Sequence, residues 1–482
     1  MRRITLRIAG SMFAIMLSGG FTLEARAADL SQPESVNQTA FDSDNYLYFA
    51  PQGNGVSASP SDKPQTPPAT PAPTAQPPAK AEPVEVAEGT EEACKSRWCR
   101  CGELGDPWKL PQPCFLQERG ITVGGWMEAG VYANTHGAEF NGPLGLENLT
   151  SFNVNQLWIF AEKKAKSEDG DVDIGGRVDY VFGTDGPDTQ AFGDQTWDFG
   201  WNSSRDYGSA IPQMYLDVAF GDWTVRGGRF LTPHGYETVP AVNNFFFSHS
   251  YTFYYGEPFT HTGLTATYKF NDKLSAFAGY VDGWDSGFDN LNRQDQFLGG
   301  INWTISDKAT LAWSVLAGKF GVPMLQDVGG VNLNPIGDRV FSSLVFTYKI
   351  TDKWTYVLQN DVGVNTGVTP LDVHQEWYGV NQYLLYKLSD CSAFGGRFEW
   401  FRDDDGSRVI PGFPPQLSLV PGNAGNYYEA TVGFNYKPHA NVLFRPELRW
   451  DWYDGTTVAG RPFNNGRSDS QLSAGFDMIV TF

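Results

Sequence analysis

From Gly120 to Phe482 the sequence alternates apolar and polar positions in runs of about ten residues, separated by turn chemistry. The final run is the clearest. Leu472, Ala474, Phe476, Met478, Val480 and Phe482 occupy one parity; Gln471, Ser473, Gly475, Asp477 and Thr481 occupy the other, and only Ile479 breaks the pattern. Ile174, Val178, Tyr180 and Phe182 stand against Asp173, Arg177 and Asp179 in the same way. So do Tyr428, Ala430, Val432, Phe434 and Tyr436 against Glu429, Thr431 and Asn435. Successive side chains of a strand point to opposite faces, so each run predicts a strand with one apolar and one polar face. A strand of a membrane barrel has this dyad, with lipid on one side and water on the other.

A weak repeat orders the strands into hairpins. Tyr268-Lys269-Phe270-Asn271-Asp272-Lys273 is echoed at 348–353, 303–308 and 386–391, each time an aromatic residue, a short polar turn and the next strand. Asn and Asp favour tight turns because their side chains bond nearby backbone, and the aromatics predict a girdle at headgroup level. Long polar connections fall near 135–150, 185–209, 234–259, 286–293, 321–337, 367–374, 405–425 and 455–469. Short turns fall near 166–171, 221–222, 271–273, 306–308, 351–353, 389–391 and 438–441. Eight long and seven short connections divide the body into about sixteen strands. The predicted fold class is all-β: a transmembrane antiparallel β-barrel with both termini on the short-turn, periplasmic side. Barrels of that size leave an aqueous channel.

Composition agrees with this reading. Aromatic residues make up 15% of the 482 residues and charged ones 19%, the latter below the ~25% usual for soluble domains. A formal net charge of −20 argues against nucleic acid as a partner. After residue 27 no apolar run approaches the ~18 residues of a membrane helix. Arg2, Arg3 and Arg7 precede an apolar stretch from Ile8 to Leu17, and Ala25-Arg26-Ala27 offers small residues for cleavage, so residues 1–27 read as a signal peptide. Residues 28–93 read as a disordered Pro/Ala-rich periplasmic linker, with ten prolines between Pro51 and Pro83 and too little apolar surface to fold. Cys94, Cys99, Cys101 and Cys114 make residues 94–114 a small segment expected to carry one or two disulfides, since the Cys-x-x-Cys pairs of a metal site are missing. Cys391 is then either free or a partner for one of the four. Residues 115–482 form the barrel.

Gly221-Asp222-Trp223-Thr224-Val225-Arg226-Gly227-Gly228-Arg229-Phe230-Leu231-Thr232-Pro233 opens a distinctive stretch. It continues through Gly235-Tyr236-Glu237, Asn244-Phe245-Phe246-Phe247-Ser248-His249, Gly256-Glu257-Pro258-Phe259-Thr260-His261-Thr262-Gly263 and Gly279-Tyr280-Val281-Asp282-Gly283-Trp284-Asp285. Together these resemble the OmpL-like β-barrel porin family of exported bacterial outer-membrane channels, over residues 115–482 and most closely from 221 to 289. The resemblance implies a barrel in outer-membrane lipid and a transport role, and it brings no catalytic residue with it. The last strand also resembles the C-terminal strand of bacterial outer-membrane barrels. That resemblance implies that the barrel-assembly machinery reads Phe482 as an assembly signal.

Parity also places the charges. On 442–452, Val442, Phe444, Leu448, Trp450 and Trp452 face lipid, which turns Arg445, Glu447, Arg449 and Asp451 inward. Pro446 shares the lipid parity and, lacking an N–H, predicts a local bulge. Arg397, Glu399 and Glu429 on neighbouring strands, with Arg177, Asp179 and Arg226, complete the pore-lining candidates. A charge on the lipid face near the midplane would cost ~2–4 kcal/mol, so the lumen is the favourable place. The acidic excess predicts a mild cation preference that salt weakens. The connection from His234 to Phe259 is unusually aromatic and should not stand free in water. It folds into the channel, packs on a neighbouring barrel or covers the rim. No nucleophile elbow, zinc helix or phosphate loop occurs, so neither an enzyme nor a cofactor is expected. The predicted function is passive diffusion of small hydrophilic solutes and ions, with a homotrimer by analogy to sixteen-stranded porins. The alternative is an adhesin or receptor acting through the long loops.

Overall fold

The computed structural model describes residues 104–482 except 168–169, 192–196, 205, 289–294, 322–335, 369–372, 410–421 and 458–459. The expected signal peptide, the linker and Cys94, Cys99 and Cys101 lie outside the described residues.

The strands are β1 (Thr122–Asn134), β2 (Phe152–Lys163), β3 (Asp173–Gly183), β4 (Gly208–Ala210), β5 (Met214–Phe220), β6 (Trp223–Leu231), β7 (Thr260–Asn271), β8 (Leu274–Val281) and β9 (Gln296–Ser306). They continue as β10 (Ala309–Gly321), β11 (Ile336–Lys349), β12 (Trp354–Val368), β13 (Val373–Ser389), β14 (Ser392–Asp403), β15 (Gly425–His439), β16 (Val442–Gly455) and β17 (Ser470–Thr481). Each pairs antiparallel with its neighbours, and β17 returns to β1 to close the ring. β4 and β5 both pair with β3 and form one wall strand, interrupted at 211–213 around Pro212. The wall is a closed antiparallel barrel of sixteen strands. At the seam the Gly125 N–H donates to the Phe482 carbonyl at 3.0 Å, and the Phe482 N–H to the Gly125 carbonyl at 2.9 Å.

Local chemistry accounts for the alternation of long and short connections. At the β7–β8 turn the Lys273 N–H donates to Asn271 Oδ1 at 2.8 Å, and before β12 the Lys353 and Trp354 N–H groups donate to the Thr351 hydroxyl at 3.2 and 3.1 Å. Aromatics flank these turns on the outside: Trp223 packs on Tyr268 with centroids 4.8 Å apart, and Trp354 on Tyr386 at 4.6 Å. Burial follows parity on β17, where Leu472 and Phe476 are exposed while Gln471, Ser473 and Asp477 are buried. Ile479 faces inward and joins the core, which explains the one break in that strand's pattern.

Two expectations need correction. No register shift occurs at Pro446: Gly433 pairs with Glu447 and Tyr436 with Phe444, and the shift lies beyond Tyr436, towards His439. The missing N–H is accommodated by absent rungs on the β15 side, while β17 stays in register opposite Phe476. Cys114 opens the short helix α1 (Cys114–Gln117) as an exposed free thiol, so it makes no disulfide. The segment ahead of α1 runs along the short-turn end. There the Trp108 N–H donates to Asn441 Oδ1 at 2.6 Å, and the Trp108 ring stacks on His439 at 4.5 Å.

Candidate functional site

The inward face of β14–β17 carries a ladder of charges. Register sets Glu399 opposite Glu429, Glu429 opposite Asp451, and Arg445 opposite Asp477. The inferred inward residues Arg397, Glu399, Glu429, Arg445, Glu447, Arg449 and Asp451 all sit here, and all are buried. Water does not cover them. The connection between β6 and β7 does.

This connection, residues 232–259, bends into the lumen and touches widely separated parts of the wall. It starts against β10–β12: His234 Nδ1 lies 2.6 Å from the Ser314 hydroxyl, the Gly235 N–H donates to the Ser343 hydroxyl at 3.1 Å, and the Tyr236 N–H to Gln359 Oε1 at 3.0 Å. It then reaches the far side, where Gln156 of β2 donates to the Val239 carbonyl at 2.7 Å and accepts from the Ala241 N–H at 3.1 Å. Arg445 Nη1 donates to the Ala241, Asn244 and Phe246 carbonyls at 3.1, 2.9 and 2.9 Å. Glu447 accepts the N–H groups of Phe247 and Ser248 at 2.9 and 3.1 Å. Arg397 donates to the Ser248 carbonyl at 2.6 Å and Arg449 to the His249 carbonyl at 2.5 Å. On the return the Tyr251 hydroxyl donates to Asp451 at 2.7 Å, and Trp377 Nε1 to the Gly256 carbonyl at 3.0 Å. Gly363 leaves room for that indole; a Cβ there would lie 1.9 Å from the Trp377 ring.

Burying so many charges would be costly without partners. Here each arginine has a carboxylate as well as loop carbonyls. Arg445 pairs with Asp477 at 2.6 Å and Glu128 at 2.7 Å, Arg397 with Glu429 at 2.5 Å and Glu237 at 2.6 Å, and Arg449 with Asp451 at 2.8 Å. Glu237 comes from the loop itself. Burial opposes its charge, but the Arg397 guanidinium and the His249 ring outweigh that and hold its carboxyl well below the usual range. Towards the long-loop end the inward residues turn apolar. Phe230, Leu298, Leu316, Phe341, Phe401 and Tyr427 are buried in one cluster with Tyr251, Phe253, Tyr255 and Phe259 of the loop.

Water reaches the inner wall on the other side, near the short turns. The side chains of Glu162 and Arg177 keep 21% and 18% of their exposure there, and Asp217 and Arg226 keep 14% and 10%. Arg177 is held by Asp179, whose carboxylate accepts from Arg177 Nε at 2.6 Å and from Trp158 Nε1 at 2.9 Å. Arg226 forks onto Asp217 with two bonds of 2.8 Å and lies 3.6 Å over the Tyr215 ring. Parity thus brings Arg177, Asp179 and Arg226 into one group and the other seven charges into a second.

Residues 120–482 match the family described as beta-barrel porin-2, OmpL-like. The chain belongs to this family. It is a porin, a channel for passive diffusion across the bacterial outer membrane. No curated protein matches it in sequence. Among solved structures it is similar to the outer membrane channel DcaP of Acinetobacter baumannii, with 13% identity, a TM-score of 0.50, and coverage of 78% of this chain and 99% of that one. OmpT of Vibrio cholerae in its trimer form matches with 12% identity and a TM-score of 0.47 over 75% of this chain and 99% of that one. The anion-selective porin from Comamonas acidovorans matches with 10% identity and a TM-score of 0.47 over the same shares. At these identities the likeness concerns the fold alone.

Some functional residues of this porin were not among the sequence candidates. Glu237, His249 and Glu257 belong to the inward loop, and Glu147 reaches it from the β1–β2 connection. The aromatic composition of 234–259 marked the loop, but no spacing marked its carboxylates. Arg229 is a second case. It lies on the outward parity, yet it is buried because Asp198 of the β3–β4 connection covers it, with Nη1–Oδ2 3.1 Å.

Proposed function

We propose that small hydrophilic solutes and ions pass this porin between the inward loop and the part of the wall that carries Glu162, Arg177 and Asp217, with residues 232–259 as the constriction. The observation that carries this reading is the division of the inner wall. The charges of β14–β17 are buried against the loop, whereas Glu162, Arg177 and Asp217 keep partial exposure to water, with Arg226 buried beside them on Asp217. Of the inward charges inferred for this side, Arg177 faces the pore on this reading, held by the buried Asp179, with Arg226 buried beside it on Asp217. Arg397, Glu399, Glu429, Arg445, Glu447, Arg449 and Asp451 form the latch that sets the width of the pore. The acidic excess of the chain supports a mild cation preference that salt weakens.

The long connections lie outside the cell and the termini in the periplasm, as the short-turn placement of 104–121 and Phe482 supports. Residues 1–27 act as the export signal and 28–93 as a linker, with any disulfide drawn from Cys94, Cys99, Cys101 and Cys391. Phe482 serves the barrel-assembly machinery, and the sixteen-stranded porin is a homotrimer without catalytic activity. Purified protein in a planar bilayer should give stepwise conductance. A barrel that inserts fully and never conducts overturns the route.

A further inference from the structure

Two buried arginines stand at the long-loop end of the lumen. Arg339 is on β11 and Arg408 in the connection after β14. The Arg339 guanidinium carbon lies 4.1 Å from the Trp284 ring centre and 5.9 Å from that of Trp377. That of Arg408 lies 4.9 and 4.8 Å from the same two rings. Two like charges therefore share two indoles. Ring faces attract a guanidinium but carry no net charge to neutralise it.

Among the described residues, Asp403 and Asp285 are the carboxylates whose fields reach Arg408. Its Nε donates to the Tyr255 carbonyl at 2.6 Å, while its Nη2, sealed from water, has no hydrogen-bond partner among the described residues. Asp403 and Asp285 act on it through space, while both oxygens of Asp403 and the Oδ1 of Asp285 accept backbone N–H groups. Asp403 accepts the N–H groups of Ser407, Arg408 and Val409 at 2.9, 2.8 and 2.8 Å, and Asp285 those of Phe259 and Thr260, both at 2.7 Å. Burial accordingly draws the Arg408 pKa down to about 10 against the fields of both carboxylates. Arg339 donates from Nε to Asn365 Oδ1 at 2.8 Å, a neutral acceptor.

We propose that Arg408 and Arg339, framed by Trp284 and Trp377, form a binding site for a small oxyanion: a sulfate, a phosphate or the carboxylate group of a solute. Guanidinium N–H groups match paired oxygens in geometry, and the attraction strengthens where water is excluded. The unused Nη2 donors of Arg408 supply the first contacts. Because Arg408 holds the Tyr255 carbonyl and Trp377 the Gly256 carbonyl, occupancy also steadies the return limb of the inward loop. A bound oxyanion would cancel the cationic pair, so the site is compatible with cation passage through the same lumen.

The test is calorimetry on the full porin in detergent, with sodium sulfate, phosphate or acetate added at constant ionic strength against sodium chloride. Saturable binding at one site per chain is expected, and the three anions separate inorganic from carboxylate ligands. Arg408→Gln should weaken affinity at least tenfold, and Arg408→Lys, which keeps charge but loses the fork, should fall between. Heat-modifiable migration in gels identifies folded protein for every variant. Equal affinity in folded Arg408→Gln overturns the site. So does the absence of saturable binding of all three anions to the wild-type porin, a result that needs no variant to fold. Conductance is not involved, so a porin that binds sulfate without conducting would defeat the proposed route and leave this site standing.

Discussion

Glu399 and Thr252 are joined twice: the Thr252 N–H and its hydroxyl both donate to Glu399 Oε1, at 2.6 and 2.5 Å. The other oxygen of the carboxylate takes the Tyr251 N–H at 2.7 Å. One wall residue thus satisfies two successive backbone N–H groups and a hydroxyl of the inward loop.

Glu399→Ala should therefore loosen the loop without opening the wall. Each donor left buried and unpaired costs about 1–3 kcal/mol, which the loop avoids by moving into water. Single-channel recordings should show larger and noisier conductance, with normal heat-modifiable migration. Unchanged conductance in a folded variant would remove Glu399 from the latch.

Arg445→Met should act on the whole barrel. It strands Asp477 and Glu128 in the interior and releases three loop carbonyls. Breaking a buried pair in this way costs about 3–5 kcal/mol. The temperature at which the folded gel band is lost should drop, and more than for Lys349→Met near the short turns.

The latch should weaken on the alkaline side. His249 lies 3.2 Å from Glu237 and 3.7 Å from Glu147, with Phe253 stacked on its ring and Asp185 adding a more distant negative field. Burial opposes its charge, but Glu147 and Glu237 outweigh burial and raise its pKa above the usual value. Stability from a raised histidine is complete below the ordinary value of about 6.5 and is lost as pH climbs through the raised one. Glu237, held low, works in the opposite window and loses its contribution only as pH falls below the carboxylate range. Conductance should rise several-fold as pH increases from neutral, and His249→Gln should abolish that rise. A flat profile in the wild type would remove His249 as the titrating group.

Gly125 tests the seam. A Cβ there would lie 2.2 Å from the Trp158 carbonyl oxygen and 2.8 Å from the Phe482 ring. Overpacking of this kind costs about 1–3 kcal/mol. Gly125→Ala and deletion of Phe482 should both reduce folded porin at the cell surface; normal surface levels in both would leave the seam without an assembly role.

The wall was legible because its physics is local. Alternation over single strands and the Asn and Thr side chains of the short turns act within a few residues, and every long and short connection lies where those signals put it. Parity turned Arg445, Glu447, Arg449 and Asp451 inward for the same reason. Their burial was not legible. It depends on Ser248, His249 and Tyr251, about two hundred positions earlier, and on a loop path that no periodicity encodes. Arg229 shows the same limit on the outside, where a chain segment from another connection covers a position that parity alone would give to solvent or lipid.

The sequence distance between loop and latch also fixes an order of construction. Phe247 is bonded to Glu447 across 200 positions, and Arg445 and Arg449 belong to the same late strand. Contacts of such separation come only after the intervening chain has been brought round. The loop leaves the sixth strand segment early in the chain, but its Arg445, Glu447 and Arg449 anchors arrive only with the sixteenth. Until that strand is in place the loop, though it already meets β2 and β10–β14, lacks the Arg445, Glu447 and Arg449 clamp, so the constriction takes its final form only when the wall is nearly complete.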